Sequence, residues 1–189
     1  MSKVVVIAAP SGGVQTIKML VSNLPVPCSA SVLIVPHIED MTRRVPYVLR
    51  EITSMPVQVP IDGTPIEPGY IYVAPIDRHM LLEPGRIRLI GWPAVRFSWS
   101  ATDPLFVSAA KIYRQYVVGI VLTGGDGYGA AGLRAIRLAG GLAIVQDPHD
   151  AVVHTVPTPI AAAHPYPCLS LSEIAATLST WCSIPIMEG

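Results

Sequence analysis

The sequence predicts an α/β protein with a doubly wound, mostly parallel sheet and an antiparallel hairpin portion. Short β-branched runs alternate with amphipathic helical patterns in the first and last thirds of the chain, which is the order of parallel strands joined by crossover helices. The middle third contains strand-like pieces separated by Asp-Gly and Pro-Gly turns. Apolar residues make up 51% and charged residues 14% of the 189 residues, which predicts a single domain over 1–189 with a large core.

The first third of the chain contains two predicted strands and two predicted helices. VVVIA, residues 4–8, is a continuous β-branched run and predicts a buried strand. Apolar residues recur at helical spacing over 13–24, so a helix follows. ASVLIVP, residues 30–36, predicts a second buried strand. Residues 43–52 predict a second helix, with Pro46 in its first turn.

The remaining elements are predicted from the same two kinds of pattern. Residues 56–91 contain one Asp-Gly and two Pro-Gly pairs between short apolar pieces, and we expect antiparallel hairpins there. The elements that follow are a helix over 102–116, a strand over 117–125, a helix over 128–140, a strand over 141–147, and short helices over 156–164 and 171–181.

Composition excludes several classes of function. The formal net charge is zero, which disfavours a nucleic-acid or membrane surface built on a basic field. No apolar stretch approaches the roughly 18 residues of a membrane span, so we expect no membrane insertion and a cytoplasmic location. The three cysteines, Cys28, Cys168 and Cys182, are far apart and predict free thiols rather than a zinc site or a disulfide framework. No HExxH or H-x-H spacing is present, and no metal or cofactor is expected.

Chemically active side chains follow three of the predicted strands. Sites of open α/β sheets form beyond the carboxyl ends of the strands. Serine becomes a nucleophile when histidine takes its proton, and a carboxylate holds the imidazole in the useful tautomer. Ser11, His37 and Asp126 therefore predict a Ser–His–Asp hydrolase site. The segments that carry them are AAPSGG (8–13), VPHIEDMT (35–42) and LTGGDGYGAAG (122–132).

The same segments supply candidate substrate-binding groups, and each residue also has an ordinary structural interpretation. Backbone N–H groups at glycines can approach a substrate oxygen, as an oxyanion hole requires. Alternatively, Ser11 caps the following helix, His37 is structural, and Asp126 forms an Asx-turn. Nucleotide binding is disfavoured, because neither GxxxxGK[ST] nor GxGxxG is present. The candidate oxyanion and substrate-binding residues are Gly12, Gly13, Thr123, Gly124, Gly125 and Tyr128.

Taken together, the ordered motifs resemble the catalytic domain of the CheB family, the chemoreceptor protein-glutamate methylesterases, over about residues 3–170. The resemblance implies a doubly wound sheet and a Ser–His–Asp site that hydrolyses glutamyl methyl esters on chemoreceptor helices and sometimes deamidates glutamines. Members usually carry an N-terminal receiver domain that regulates them. This chain begins directly at the catalytic domain, so we expect that regulation to be absent or supplied in trans. The motifs are AAPSGG, VPHIEDMT, DGTPIEPGYIYVAPIDRH, DPLFVSAA, LTGGDGYGAAGLRAIRLAGG, IVQD and VVHTVPTPIA.

The site residues depart from the family pattern at three positions, one of which is Gly125 in the column of the family's methionine. Aligned without gaps, the family's nucleophilic serine falls on Pro10, one residue before Ser11, and its aspartate falls on Tyr128, two residues after Asp126. His37 stays in its column. Proline carries no nucleophile and no N–H donor, and one residue along a chain spans at most about 3.3–3.6 Å. A catalytic Ser11 therefore requires a compensating turn.

Three hypotheses follow from this pattern. The first is an esterase with a rearranged Ser11–His37–Asp126 site. The second is a non-catalytic module that binds chemoreceptor cytoplasmic helices or another protein. The third is a cleft that binds a small anion through the backbone amides of SGG and TGGDG.

Overall fold

The computed structural model describes residues 2–9, 13–36, 44–76, 78–91, 102–122, 129–150 and 166–184. Within these ranges the chain forms a parallel sheet of seven strands and a separate two-stranded antiparallel hairpin. The strands are β1 (Lys3–Ala9), β2 (Ala30–Pro36), β3 (Val57–Gln58), β4 (Ile71–Val73), β5 (Arg78–Glu83), β6 (Arg86–Gly91), β7 (Val117–Val121), β8 (Leu142–Gln146) and β9 (Cys168–Leu169). The sheet order is β3-β4-β2-β1-β7-β8-β9.

Helices cover both faces of the parallel sheet. The central strands β1 and β2 are buried at every position, which explains their continuous apolar runs. Val5 and Ile7 of β1 pack with α1, α2 and α5, whereas Val4 and Val6 pack with α3, α4 and the β5–β6 hairpin. The described helices are α1 (Val14–Ser22), α2 (Val45–Arg50), α3 (Thr102–Tyr113), α4 (Ala130–Leu138) and α5 (Leu171–Ser183), and 3-10 turns cover Arg114–Tyr116 and Pro148–Asp150.

The predicted α/β class and the predicted strand–helix alternation are confirmed. The strand predicted over 30–36 matches β2 at both ends, and the strand predicted over 117–125 ends earlier, at Val121. The short β9 before α5 was not predicted, because two residues carry no periodic signal. The predicted helix over 156–164 lies outside the described residues.

The prediction of antiparallel hairpins over 56–91 is wrong for its first half. β3 and β4 pair in parallel within the main sheet, with Val57 opposite Ile71, and only β5 and β6 form a hairpin. The turns at Gly63 and Gly69 have positive φ of 83° and 79°, but they lie within the connection between two parallel strands. The turn at Gly85 joins strands that pair with each other.

The amino edge of the sheet is joined to the end of α5. Lys3, the first residue of β1, is buried, and its Nζ donates to the carbonyl oxygens of Trp181 at 2.9 Å and Ile184 at 2.5 Å. The same ammonium lies 4.7 Å from the centroid of the Trp181 ring. The Ser29 backbone N–H donates to the Cys182 carbonyl at 2.8 Å. These contacts fix the last turn of α5 beside the starts of β1 and β2.

The structure also describes the state of the three cysteines and the character of the helices. Cys28, Cys168 and Cys182 are free thiols, as predicted; the first and last are buried and Cys168 is exposed. Across the described ranges, none of the helices combines the length and the apolar character that crossing a membrane requires.

Candidate functional site

The three predicted site segments leave the sheet side by side. β1 lies between β2 and β7, and all three strands run in parallel. At their carboxyl ends Ala9 is the register partner of Pro36, and Ala8 is the partner of Val121. The Leu122 N–H donates to the Ala8 carbonyl at 3.0 Å and extends this pairing by one residue. The chain therefore enters all three segments from neighbouring points on one edge of the sheet.

Most predicted site residues lie outside the part of the chain that the structure describes, so their roles stay predictions. Gly13 is the exception and is described. The predicted residues outside the described ranges are Ser11, Gly12, His37, Thr123, Gly124, Gly125, Asp126 and Tyr128.

Gly13 marks the start of α1. It occupies the N-cap position with φ of −70° and ψ of 0°, and its carbonyl accepts a hydrogen bond from the Ile17 N–H at 2.8 Å. Gly13 has no side chain and so makes no side-chain capping hydrogen bond itself. Gly13 therefore holds the N-cap position, two residues after Ser11. Ser11 lies outside the described residues, so its interpretation as a capping residue stays a prediction.

Segment 123–128 is held at both of its flanks. Before it, Leu122 is buried and bonded to β1. After it, Gly129 adopts a left-handed conformation with φ of 92°. A Cβ at Gly129 would lie 2.8 Å from Val121 Cγ2 and 3.0 Å from Thr102 Cγ2, so the backbone contacts β7 and α3 too closely for a side chain. The chain thus leaves β7 and enters α4 at two fixed points.

A carboxylate from α3 bonds the first turn of α4. Asp103 Oδ1 accepts a hydrogen bond from the Gly132 N–H at 2.7 Å. A Cβ at Gly132 would lie only 2.4 Å from Phe106 Cβ, so the two helices are in contact at the backbone. The sequence places Asp103 inside the helix predicted over 102–116 and indicates no partner for it. The signal that could have revealed its contact is Gly132 itself, a glycine inside a predicted helix.

Two histidines outside the predicted triad, His79 and His149, lie among the described residues. His79 lies in β5 and is 1% exposed. His149 lies in the turn after β8, and its side chain is 96% exposed. The Asp147 carboxylate accepts from the His149 backbone N–H at 2.9 Å and lies 3.0 Å from its Nδ1, and these hydrogen bonds lower the pKa of Asp147.

Within the described ranges, no group of three or more His, Cys, Asp or Glu side chains is arranged to hold a metal ion.

The chemical groups that the sequence places at the carboxyl edge are a hydroxyl, an imidazole and a carboxylate, together with glycine amides. Such a set can perform acyl transfer if the hydroxyl reaches the imidazole.

Comparison with known proteins agrees with this fold. The family model described as CheB methylesterase matches residues 5–178. A Leptospira interrogans protein with the provisional name protein-glutamate methylesterase/protein-glutamine glutaminase is 32% identical over 174 residues, which are 90% of each chain. A Chromohalobacter salexigens protein-glutamate methylesterase/protein-glutamine glutaminase is 35% identical over 93% of this chain. The chain spans 51% of that relative's length.

A solved structure is similar over almost the whole chain. The crystal structure of the Thermotoga maritima CheB methylesterase catalytic domain has a TM-score of 0.83 and 25% sequence identity. The similarity covers 95% of this chain and 98% of the Thermotoga chain.

Proposed function

This chain belongs to the CheB methylesterase family, and from that premise we propose that it hydrolyses glutamyl methyl esters on the cytoplasmic helices of chemoreceptors. The observation that carries the proposal is the meeting of β1, β2 and β7 at one edge, with Ala9 opposite Pro36 and Leu122 bonded to Ala8. Three neighbouring carboxyl ends are the usual place for a site in an open α/β sheet.

In the proposed reaction Ser11 is the nucleophile and His37 is the general base. The Ser11 hydroxyl attacks the ester carbonyl and gives its proton to His37, which passes the proton to the departing methanol. Water then hydrolyses the acyl-enzyme and leaves a glutamate side chain and a free serine. Asp126 orients the imidazole of His37, and the oxyanion is stabilised by backbone amides. The amides assigned to this role belong to Gly12, Gly13, Gly124 and Gly125.

The start of α1 supports a chemical role for Ser11. Gly13 holds the N-cap position, so the hydroxyl of Ser11 is not required there. The names of the Leptospira and Chromohalobacter relatives also specify protein-bound glutamate and glutamine. We therefore include glutamine deamidation as a second reaction of the same proposed site, with ammonia in place of methanol as the leaving group.

The proposed partner is a chemoreceptor helix, and the proposed location is cytoplasmic. We propose that residues 1–189 form a single methylesterase domain. A response-regulator receiver domain would act on it in trans. The proposed reaction requires no cofactor, since the nucleophile, the base and the oxyanion donors all come from the chain.

The test is methanol release from a methylated chemoreceptor cytoplasmic fragment. We expect Ser11→Ala to lower kcat/KM by at least about 100-fold, because no other group would form the acyl-enzyme. Ser22→Ala is the matched control; Ser22 lies at the other end of α1, where its hydroxyl donates to the Met19 carbonyl at 3.0 Å. Equal rates for wild type and Ser11→Ala would exclude Ser11 as the nucleophile.

Pro10 favours one second candidate function. It occupies the column of the family's serine, which is the change expected of a module that binds receptor helices without hydrolysis. Retention of the chain on immobilised receptor fragment, with no methanol released by wild type, would select this function. A rise in Tm with inorganic phosphate alone would instead select the small-anion cleft.

A further inference from the structure

We propose that Asp103 is a positioning residue of this site. Its carboxylate holds the amino end of α4 and so fixes the point at which segment 123–128, with Asp126 and Tyr128, joins that helix. The catalytic part of this inference rests on the proposed function. The structural part rests on the contacts of Asp103 and Gly132 alone.

The residues of α4 cap its amino end only incompletely. The first N–H groups of a helix have no partner within the helix. Gly129 holds the N-cap position of α4 and has no side chain to accept from them. Asp103 Oδ1 accepts from the Gly132 N–H at 2.7 Å, so α3 supplies the missing acceptor. A charged acceptor strengthens this bond, and the positive end of the α4 dipole favours it further.

The hydrogen bond between Asp103 and Gly132 lies where α3 and α4 are tightly packed. A Cβ on Gly132 would lie 2.4 Å from Phe106 Cβ and 3.1 Å from Asp103 Oδ1. Phe106 is completely buried, one turn after Asp103 on α3. Because α3 and α4 touch at the backbone, the carboxylate has little freedom to move away from the amide.

The packed first turn of α4 directly follows segment 123–128 in the chain. Leu122 is bonded to Ala8 at the start of the segment, and Gly129 contacts Val121 and Thr102 at its end. Gly129 is three residues from Gly132, within the same first turn of α4. A displacement of that turn therefore moves Gly129, the residue that directly follows segment 123–128. Misplacement of catalytic groups by about 1 Å can lower a rate by about 100-fold.

The experiment compares three variants in the methanol-release assay, at a temperature where circular dichroism shows each one folded. We expect Asp103→Ala to lower kcat by about tenfold or more with KM changed by less than about twofold. Asp103→Asn keeps an oxygen acceptor and should restore most of kcat. Ser108→Ala is the matched control, because Ser108 also lies on α3 and accepts from another element, the Leu82 N–H, at 3.0 Å. It should leave kcat unchanged.

Two results in this assay would overturn the proposal. One is a wild-type kcat in Asp103→Ala. The other is an equal loss of kcat in Ser108→Ala, which would show that general loosening of α3 is responsible.

Amide hydrogen exchange separates this proposal from the proposed function. Asp103→Ala should speed exchange in residues 129–133, whereas Ser108→Ala should not. This outcome would support the positioning role even if wild type released no methanol, in which case only the esterase proposal would fail. Unchanged exchange over 129–133 in Asp103→Ala would overturn the positioning role.

Discussion

Single glycines set how closely α3, α4 and β7 approach one another. A Cβ at Gly119 of β7 would meet Ile136 Cδ1 at 2.3 Å, which is the far end of a flexible side chain. A Cβ at Gly132 would meet Phe106 Cβ at 2.4 Å, and that atom can move only with the α3 backbone. The two glycines therefore differ in how much structure a methyl group would displace.

Gly132→Ala should lower the free energy of unfolding by about 1–3 kcal/mol through overpacking. Alanine is the better helix former by up to about 1 kcal/mol, but that gain does not remove the clash with Phe106. Urea unfolding followed by circular dichroism measures the change. Gly91→Ala is the control, because a Cβ at Gly91 meets no atom of the described residues within 4 Å. A Gly132→Ala variant as stable as wild type would contradict the packing argument.

The sequence predicts which side chains carry reactive groups, but it does not predict the distances between them. Ser11 and His37 are recognisable because a hydroxyl and an imidazole follow buried strands. The distance between the Ser11 hydroxyl and the His37 imidazole depends on the backbone conformation of the residues after Ala9. The presence of Pro10 in the sequence does not determine that distance. Gly132 signals a close contact, because it is a glycine inside a predicted helix, but the sequence does not identify Asp103 as the partner. That contact spans 29 residues and depends on how two helices cross.

The helices and strands differ in how far their own residues determine where they begin and how they pair. α5 begins with a capping box, in which the Ser170 backbone N–H donates to Glu173 Oε2 at 2.8 Å and the Glu173 N–H donates to Ser170 Oγ at 3.3 Å. The predicted start at residue 171 is confirmed for that reason. β3 has two residues, and its pairing with β4 is set by the sheet rather than by its own sequence.

The capping box should make α5 sensitive to acid. Hydrogen bonds from the Ser170 hydroxyl and backbone N–H lower the pKa of Glu173. A lowered folded pKa adds stability above the unfolded value of about 4.3 and loses it as the pH falls through the folded value. The Tm difference between wild type and Glu173→Ala should therefore be constant above about pH 5 and shrink below about pH 4.

Glu51→Ala is the control for this pH series. Glu51 is an exposed glutamate that follows α2, and its side chain makes no hydrogen bond to the residues that the structure describes. If the Glu173→Ala difference stayed constant down to pH 3, the carboxylate form of Glu173 would not be the source of its contribution.

The Lys3 contacts and the proposed active site lie at opposite edges of the parallel sheet. Lys3 binds the Trp181 and Ile184 carbonyls at the amino edge, whereas the three site segments leave the carboxyl edge. The alternation of strands and helices predicted a parallel sheet, and this was correct. The strand order was beyond prediction, because local periodicity does not say which strands are neighbours.

Lys3→Met should lower the free energy of unfolding by about 1.5–3 kcal/mol, the range for hydrogen bonds to charged groups. The variant keeps the apolar stem but leaves two carbonyl oxygens at the end of α5 without their donor. Lys111→Met is the control, since Lys111 is exposed and its amine bonds no residue of the described ranges. Equal urea midpoints for Lys3→Met and wild type would show that the contact adds nothing to stability.

The direction of β1 has a practical consequence for surface-based binding measurements. Lys3 begins the strand and Ala9 ends it, so about 20 Å of extended chain separates the two edges. Attachment to a sensor chip next to Ser2, at the start of β1, would hold the molecule by the amino edge of the sheet. The opposite rim, where the receptor fragment is proposed to dock, would then face the flowing solution.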